Sequence, residues 1–321
     1  MKIVMATLII TTHSSTHPLV KALRTEGEDV LLANGVHSAL RLFELNRCRG
    51  YYGDLKTDLK NPIALCRFSR ALRSRKVPYI YWNRDAPWNE GMKLHRIALL
   101  RALKPVDIYL AHSAQKANRY AKQCFYFPNA ADDFYYENVD LDLLRNEDAY
   151  TFDVSFIGAI SNSEWRSCRQ RLDFMAALHN KIQKAIPDIK FNIVDTCSKK
   201  ILISDQIKII RSSKINLNFG AICDMPGNPS WGLPERVFGI PAAGGFLLTD
   251  FRKMIANTFQ NNQVDVFYDL NQCAEMIIYY LSNFNHLRDR AESLHHHVIQ
   301  FHTYSERAKT LLHQLSSYEH P

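Results

Sequence analysis

The sequence predicts two α/β domains, each built on a parallel sheet with helices on both faces. Buried β-branched runs alternate with amphipathic helical segments twice, over residues 2–127 and again over 153–315. Between these stretches, residues 132–148 carry seven carboxylates and lose the periodicity, which is typical of a linker. A chain of 321 residues is also long enough for two domains of roughly 150 residues each.

The strands and helices can be placed along both stretches. The first stretch predicts strands at residues 2–10, 30–33, 79–82, 106–111 and 124–127, with basic helices at 62–76 and 93–103. The second predicts strands at 153–157, 190–194, 214–219, 245–249 and 264–267, and closing helices at 271–281 and 287–315. Ligands of such sheets bind beyond the carboxyl ends of the strands, so residues just past a strand end are the candidate site residues.

Composition excludes several classes of protein. No window approaches about 18 consecutive apolar residues, and no cleavage site follows the apolar run at the amino terminus, so we expect neither a transmembrane helix nor a signal peptide. The seven cysteines are scattered and form no C-x-x-C pair, which argues against a disulfide framework or a zinc ribbon. We therefore expect a cytoplasmic protein, peripheral at most at the inner membrane face.

The charge is unevenly distributed. Residues 1–122 contain 21 Lys and Arg against 9 Asp and Glu, whereas the remainder contains 19 against 23. A basic first half indicates an acidic partner, such as an anionic membrane surface, a lipid diphosphate or nucleic acid. A merely solvated basic face is the alternative, because the sequence does not show whether these charges share one face.

The most informative stretch is residues 231–250, WGLPERVFGIPAAGGFLLTD. It predicts a short helix, a glycine turn and a buried strand, because Pro234 and Glu235 suit a first helical turn and Gly244 suits a helix end. Arg236 stands at the start of this helix, and arginine is the usual bidentate partner of phosphate. A surface arginine on an ordinary helix is the alternative.

This stretch resembles the nucleotide-binding segment of GT-B glycosyltransferases, in particular the group 1 and CgeB-like (spore-maturation) branch. That branch has a pattern close to R-x-F-E-x-x-A-x-G-G/A-F-L-L-T-D, which is matched here by Arg236, Phe238, Ala242, Gly244, Gly245 and residues 246–250. The resemblance covers mostly residues 153–315 and is thinner before them. It implies two Rossmann-like domains facing across a cleft.

The change in composition after residues 128–129 sets the domain boundaries, and the resemblance implies the role of each domain. An acceptor-binding domain is expected over residues 1–131, a linker over 132–150 and a nucleotide-sugar-binding domain over 151–285. A helical segment, 286–321, is expected to cross back to the first domain.

The resemblance also implies a donor site. Residues 153–171 are similar to the family's strand, glycine, loop and arginine element, although a solvated face is the alternative for arginines at a helix start. The chain has neither G-x-G-x-x-G nor a P-loop motif. The implied donor-binding residues are Gly158, Arg166, Arg169, Ser230, Glu235, Arg236 and Gly244.

One position departs from the family pattern, since the family's glutamate falls on Gly239. In the resembled family this glutamate accepts hydrogen bonds from the donor ribose. Either the site has lost donor affinity, or Glu235, one helical turn earlier on the same face, reaches the ribose instead. Gly239→Ala is expected to add a little stability, because glycine is a poor helix former.

Asp85 is the candidate catalytic base. It follows the predicted strand at 79–82 and lies between Trp82 and Trp88, where burial would raise its pKa and let it accept a proton from an acceptor hydroxyl. The resembled family has an aspartate base in about this place, although a turn-forming aspartate is the alternative. The histidine run 295–297 would point in different directions from one helix, so we expect no metal site, and no cofactor besides the sugar donor.

The sequence thus predicts a metal-independent, hexosyltransferase-like enzyme that moves a sugar from a nucleotide-diphosphate donor to an acceptor hydroxyl. Its expected partners are a nucleotide sugar and a glycan or lipid-linked acceptor, in cell-surface glycan or lipopolysaccharide synthesis, with peripheral contact to an anionic membrane. Two alternatives remain: a DNA-modifying glycosyltransferase, and a sugar-nucleotide-binding protein without turnover.

Overall fold

The computed structural model describes residues 8–84, 94–111, 119–161, 166–198, 200–220, 232–260 and 262–318. The chain divides into two compact units. The first consists of Met1–Pro128 together with Tyr304–Pro321, and the second is Asn129–Thr303.

The first unit contains a six-stranded parallel sheet in the order β2-β1-β3-β4-β5-β6. Its strands are β1 (Leu8–Thr11), β2 (Asp29–Leu32), β3 (Gly50–Tyr52), β4 (Tyr79–Asn83), β5 (Val106–Ala111) and β6 (Ala121–Tyr126). The helices between them are α1 (Pro18–Thr25), α2 (Val36–Leu45), α3 (Leu55–Asp58), α4 (Pro62–Ser74) and α5 (Leu94–Leu103). Every residue of β3, β4 and β5 is buried, as expected of central parallel strands covered on both faces. The sequence did not predict β3, which has only three residues and therefore no readable period.

The second unit contains a five-stranded parallel sheet in the order β11-β10-β9-β7-β8. Its strands are β7 (Phe152–Gly158), β8 (Phe191–Asp195), β9 (Ser213–Asn218), β10 (Phe246–Asp250) and β11 (Asp265–Phe267). Its helices are α6 (Asp133–Tyr136), α7 (Arg166–Gln183), α8 (Ile203–Arg211), α9 (Arg236–Ala242), α10 (Ile255–Thr258), α11 (Leu270–Ser282) and α12 (Phe284–Phe301). The fold class predicted from the sequence, two parallel-sheet α/β domains, is confirmed.

The last helix, α13 (Tyr304–Ser316), belongs to the first unit rather than to the second. It packs against α1, and Arg49 at the start of β3 donates hydrogen bonds to the carbonyl of Leu312 (3.2 Å) and the hydroxyl of Ser316 (3.1 Å). The segment that joins the first unit therefore begins at Tyr304, later than the boundary at 286 that the sequence predicted, and α12 remains with the second unit.

The acidic stretch 132–150 differs from the linker that the sequence predicted, because it packs on the second unit. Tyr135 and Leu144 are buried, while the carboxylates of the stretch lie mostly at the surface. Arg211 of α8 donates to the backbone carbonyls of Tyr135 and Glu137, at 3.3 and 3.0 Å. A few apolar side chains thus anchor a segment whose average composition resembles a solvated linker.

The predicted helix, glycine turn and strand are present in the second unit as α9 and β10. Gly244 has a φ of +82°, which favours glycine at a helix end. A Cβ on Gly245 would lie 2.6 Å from Ile210 and 2.9 Å from the Asn216 amide, so β10 starts where only glycine fits. All five residues of β10 are buried. Asp250 is the last residue of this strand and therefore lies at the carboxyl edge of the sheet.

Candidate functional site

A buried polar network lies at the carboxyl edge of the second sheet, where β9 and β10 end. The Asn218 amide donates to Thr249 Oγ1 at 2.8 Å and to Asp250 Oδ1 at 3.2 Å. The second carboxylate oxygen of Asp250 accepts the backbone N–H of Gly220 at 3.1 Å. Asn218 is wholly buried, so these four residues form a fixed polar floor, our name for this network, next to the start of α9.

Arg236, the first residue of α9, is bound to this floor. Its Nε donates to Asn218 Oδ1 at 3.1 Å and its Nη2 donates to the carbonyl of Gly220 at 3.2 Å. The guanidinium carbon lies 5.6 Å from the centroid of the Phe156 ring. Its Nη1 makes no hydrogen bond to any residue in the described ranges, which leaves the two N–H donors of this nitrogen for a ligand.

Two further guanidinium groups lie close to Arg236. Arg252 is fully buried and pairs with Asp250 at 3.2 Å. Arg171 of α7 donates to three backbone carbonyls near the strand ends, those of Ala159, Phe219 and Gly220. Burial lowers the pKa of Arg236 to about 9, with further contributions from Arg171 and Arg252, so the group is still charged at pH 7. Positive charge exceeds negative charge here, and an anion would relieve the repulsion.

Gly158, the last residue of β7, makes this arrangement possible. A Cβ on Gly158 would lie 2.8 Å from the Phe156 ring and 3.3 Å from Arg236 Nη1. The absence of a side chain therefore lets the guanidinium lie directly against the strand end. Gly158 and Arg236, both predicted from the sequence as donor-binding residues, are thus adjacent.

The other predicted donor-binding residues have different positions. Glu235 is half-buried immediately before α9, and its carbonyl accepts the N–H of Gly239 at 2.8 Å. Arg169 is exposed on α7, and α7 begins at Arg166, whose side chain is not described. Ser230 lies outside the described residues, as does Asp85, the predicted base.

Gly244 does not lie at this site. It is at the opposite end of α9 from Arg236, where its Cα faces Leu144 and Val139 and its carbonyl accepts a hydrogen bond of 3.0 Å from Arg288. Its place in the pattern is explained by the left-handed backbone and by this close packing. The structure thus separates Gly244 from Arg236 and gives this glycine a packing role, whereas the sequence had predicted a donor-binding one.

The sequence analysis did not select four residues of this site, Arg171, Asn218, Asp250 and Arg252, and of these Arg171 had a signal in the sequence. Arg171 occupies the apolar stripe of α7, formed by the buried Cys168, Met175, Leu178 and Ile182. A charged residue at the i, i+3, i+4 spacing of an otherwise apolar stripe is the signal that could have identified it.

Gly239 lies against an aromatic ring. A Cβ on Gly239 would be 2.9 Å from Cε1 and 3.0 Å from Cζ of Tyr135, a residue of α6. The direction in which a side chain at this position would point is therefore occupied by the Tyr135 ring. The same packing corrects the expected benefit of Gly239→Ala, since helix propensity ignores this contact.

A second polar cluster lies in the first unit, at the carboxyl ends of its central strands. The His13 ring stacks on Tyr52 at 4.3 Å, and its Nε2 lies 3.3 Å from the carbonyl of Gly53. The His17 ring lies 4.6 Å from His13 and meets Trp82 edge-on at 6.0 Å. Burial lowers the pKa of both imidazoles, that of His17 to about 3, so both are neutral at pH 7 and His17 is a very weak base.

Two absences among the described residues concern metal binding and the membrane. No three His, Cys, Asp or Glu side chains of those residues converge where a metal ion could bind. Within the same ranges, no helix combines the length and the apolar character that crossing a membrane requires.

The model of a glycosyl transferase-like family matches residues 169–313, a segment that contains Arg171, Arg236 and Asp250. No protein of curated function matches the sequence significantly.

Solved structures resemble the whole chain. The HepE protein of Anabaena, in complex with UDP and glucose, is 11% identical with a TM-score of 0.58, and the match covers 98% of this chain and 100% of HepE. A UDP-forming trehalose-phosphate synthase from Burkholderia xenovorans is 12% identical with a TM-score of 0.57, covering 88% of this chain and 77% of the synthase. A glycosyltransferase from Rickettsia africae is 12% identical with a TM-score of 0.57, covering 97% and 90%. These neighbours establish the GT-B fold, and the family match together with the fold supports a glycosyltransferase.

Proposed function

We propose that this protein is a glycosyltransferase that moves a sugar from a nucleotide-diphosphate donor to an acceptor hydroxyl. The observation that carries the proposal is Arg236, held against the carboxyl edge of the second sheet with Nη1 left without a partner among the described residues. Structures of the neighbour HepE contain UDP and UDP-glucose, so UDP sugars are the first donors to test.

The chemistry follows from the charge that develops on the leaving group. Negative charge on the diphosphate grows as the glycosidic bond breaks, and a donor already fixed in place stabilises that charge without reorganisation. Arg236 would bind the diphosphate directly, while Arg171 and Arg252 raise the local positive potential from their buried positions. Glu235, next to this site, is proposed to contact the ribose. This division of roles needs no metal ion, and we propose that the reaction is metal-independent.

Acceptor activation is assigned to the first unit. Asp85 remains the proposed base, in keeping with the sequence resemblance, and His13 is a second candidate because its neutral imidazole can accept a proton. We further propose that the protein belongs to the CgeB-like branch and acts in cell-surface glycan or lipopolysaccharide synthesis. The basic first half would then favour a cytoplasmic location with peripheral contact to the anionic inner membrane.

The strongest rival is a sugar-nucleotide-binding protein without turnover, and Gly239 in place of the family glutamate favours it. The deciding experiment is incubation of the purified protein with UDP sugars in the absence of acceptor. Slow release of UDP supports the enzyme, whereas binding without release at any enzyme concentration supports the rival.

A third account keeps the chemistry and makes duplex DNA the acceptor. It predicts DNA binding that weakens steeply as salt is raised. Absence of such binding removes it.

A further inference from the structure

The environment of Gly239 points to a residue that no motif in the sequence identified. The family glutamate is missing at this position, yet the space it would enter is not empty. The ring of Tyr135 fills it, at 2.9 Å from the position of a Cβ on Gly239. A glutamate at 239 and the present position of Tyr135 exclude one another.

The Tyr135 hydroxyl has the properties of a ligand-binding group. It makes no hydrogen bond to a described residue, and its oxygen is not fully buried. The residue keeps 8% of its surface exposed. A tyrosine packed this closely normally finds a partner for its hydroxyl, so a free phenol here is open to a ligand.

Its neighbours are those of the proposed donor site. Tyr135 and Arg236 both line a small cavity of about 20 Å³, together with Ile240 and Asn216. Burial raises the pKa of the Tyr135 phenol, and the nearby Glu235 raises it further, so the hydroxyl keeps its proton and donates at pH 7. The phenol thus lies near both the proposed diphosphate ligand and the carboxylate before α9.

We propose that Tyr135 replaces the missing glutamate and that its hydroxyl binds a ribose hydroxyl of the donor nucleotide, beside Glu235. This inference rests on the proposed function. It would give a chain with glycine at 239 a ribose contact, from a residue in the stretch that the sequence predicted to be a linker.

The test measures the binding of nucleoside diphosphates by calorimetry, using UDP, GDP, ADP and CDP and then the 2′-deoxy and 3′-deoxy forms of the best ligand. Tyr135→Phe keeps the ring that packs on Gly239 and removes only the hydroxyl. It should weaken binding of the ribose form by about three- to tenfold, which is the worth of one hydrogen bond. Against one of the two deoxy forms, the parent and the variant should bind alike.

Tyr136→Phe is the matched control, because its hydroxyl is committed to Asp133 at 2.6 Å on the surface. It should leave binding unchanged. The double variant Tyr135→Ala, Gly239→Glu tests the exchange directly, since it frees the space and supplies the carboxylate. It should recover affinity that Tyr135→Ala alone has lost.

Equal binding of the ribose form by the parent and by Tyr135→Phe overturns the inference and leaves the proposed function intact. A parent that binds none of the four diphosphates overturns the proposed function, and the inference with it. An equal loss on the ribose form and on both deoxy forms shows that the hydroxyl acts elsewhere, which also overturns the inference.

Discussion

Arg236 and Asn218 are joined by a hydrogen bond of 3.1 Å from the guanidinium Nε to the side-chain oxygen of the asparagine. Asn218 is the last residue of β9, is wholly buried, and donates onward to Asp250. The first residue of a short helix is therefore tied to the sheet rather than extended into solvent. Such a group loses little side-chain entropy when it binds an anion, which favours recognition of a diphosphate.

The contact between Gly239 and Tyr135 predicts that Gly239→Ala destabilises the protein. The added methyl would lie 2.9 Å from the ring, and such overpacking costs about 1–3 kcal/mol. Urea unfolding of the single variant and of Gly239→Ala in a Tyr135→Ala background measures the coupling. The cost should largely disappear when the ring is absent. A stabilisation of about 1 kcal/mol, which helix propensity alone predicts, would contradict the packing seen here.

Asp58 predicts a pH dependence of stability in the first unit. Its carboxylate is fully buried and accepts hydrogen bonds from Tyr51 at 2.7 Å and Tyr79 at 2.6 Å. Burial raises its pKa from 3.8 to about 6, although these two hydrogen bonds act in the opposite direction. Because the folded pKa is the higher one, folding favours the protonated form. The resulting stabilisation is present below pH 3.8 and is lost as the pH rises through about 6.

The measurement compares the free energy of unfolding of the parent and of Asp58→Asn from pH 4 to pH 8. The parent should lose stability relative to the variant between pH 4 and about 6. Asp142→Asn, at an exposed carboxylate, serves as the control. A difference between the parent and Asp58→Asn that stays constant with pH would show that Asp58 does not titrate in this range.

Two candidate bases can be separated by turnover. Asp85→Asn should lower the rate of transfer by about 10²- to 10⁴-fold with donor affinity near that of the parent, if Asp85 takes the proton. His13→Gln should then have a much smaller effect. The reverse result assigns the base to His13, and near-normal turnover in both variants would indicate a mechanism that needs no such base.

Much of the fold could be predicted from the sequence because most helices and strands have a local pattern of apolar and polar residues. Two strand-and-helix alternations predicted the two sheets, and the consecutive glycines before the run 246–250 predicted the turn into β10. Gly244 shows what such local patterns cannot predict. The glycine was predicted correctly as a helix end, but a matching motif could not say that it lies away from the site.

What the sequence did not disclose depends on contacts between distant segments. The composition of residues 132–150, with seven carboxylates, predicted a linker. The two apolar side chains that anchor the stretch, Tyr135 and Leu144, are too few to change that composition, although both are buried. The packing of Tyr135 on Gly239 joins positions about a hundred residues apart, so no local pattern contains it. Arg171 was readable in principle, because it interrupts an apolar stripe.

The central claim is that Arg236 binds the diphosphate of a nucleotide-sugar donor, and titration calorimetry with UDP and UDP-glucose tests it most directly. A charged hydrogen bond is worth about 1.5–3 kcal/mol, so Arg236→Ala should weaken binding by roughly 10- to 100-fold. Arg41→Ala, at an exposed arginine of α2, should bind like the parent. Thermal unfolding without ligand checks that each variant is folded. Equal affinity in the parent and in folded Arg236→Ala, for every diphosphate that the parent binds, would contradict the account.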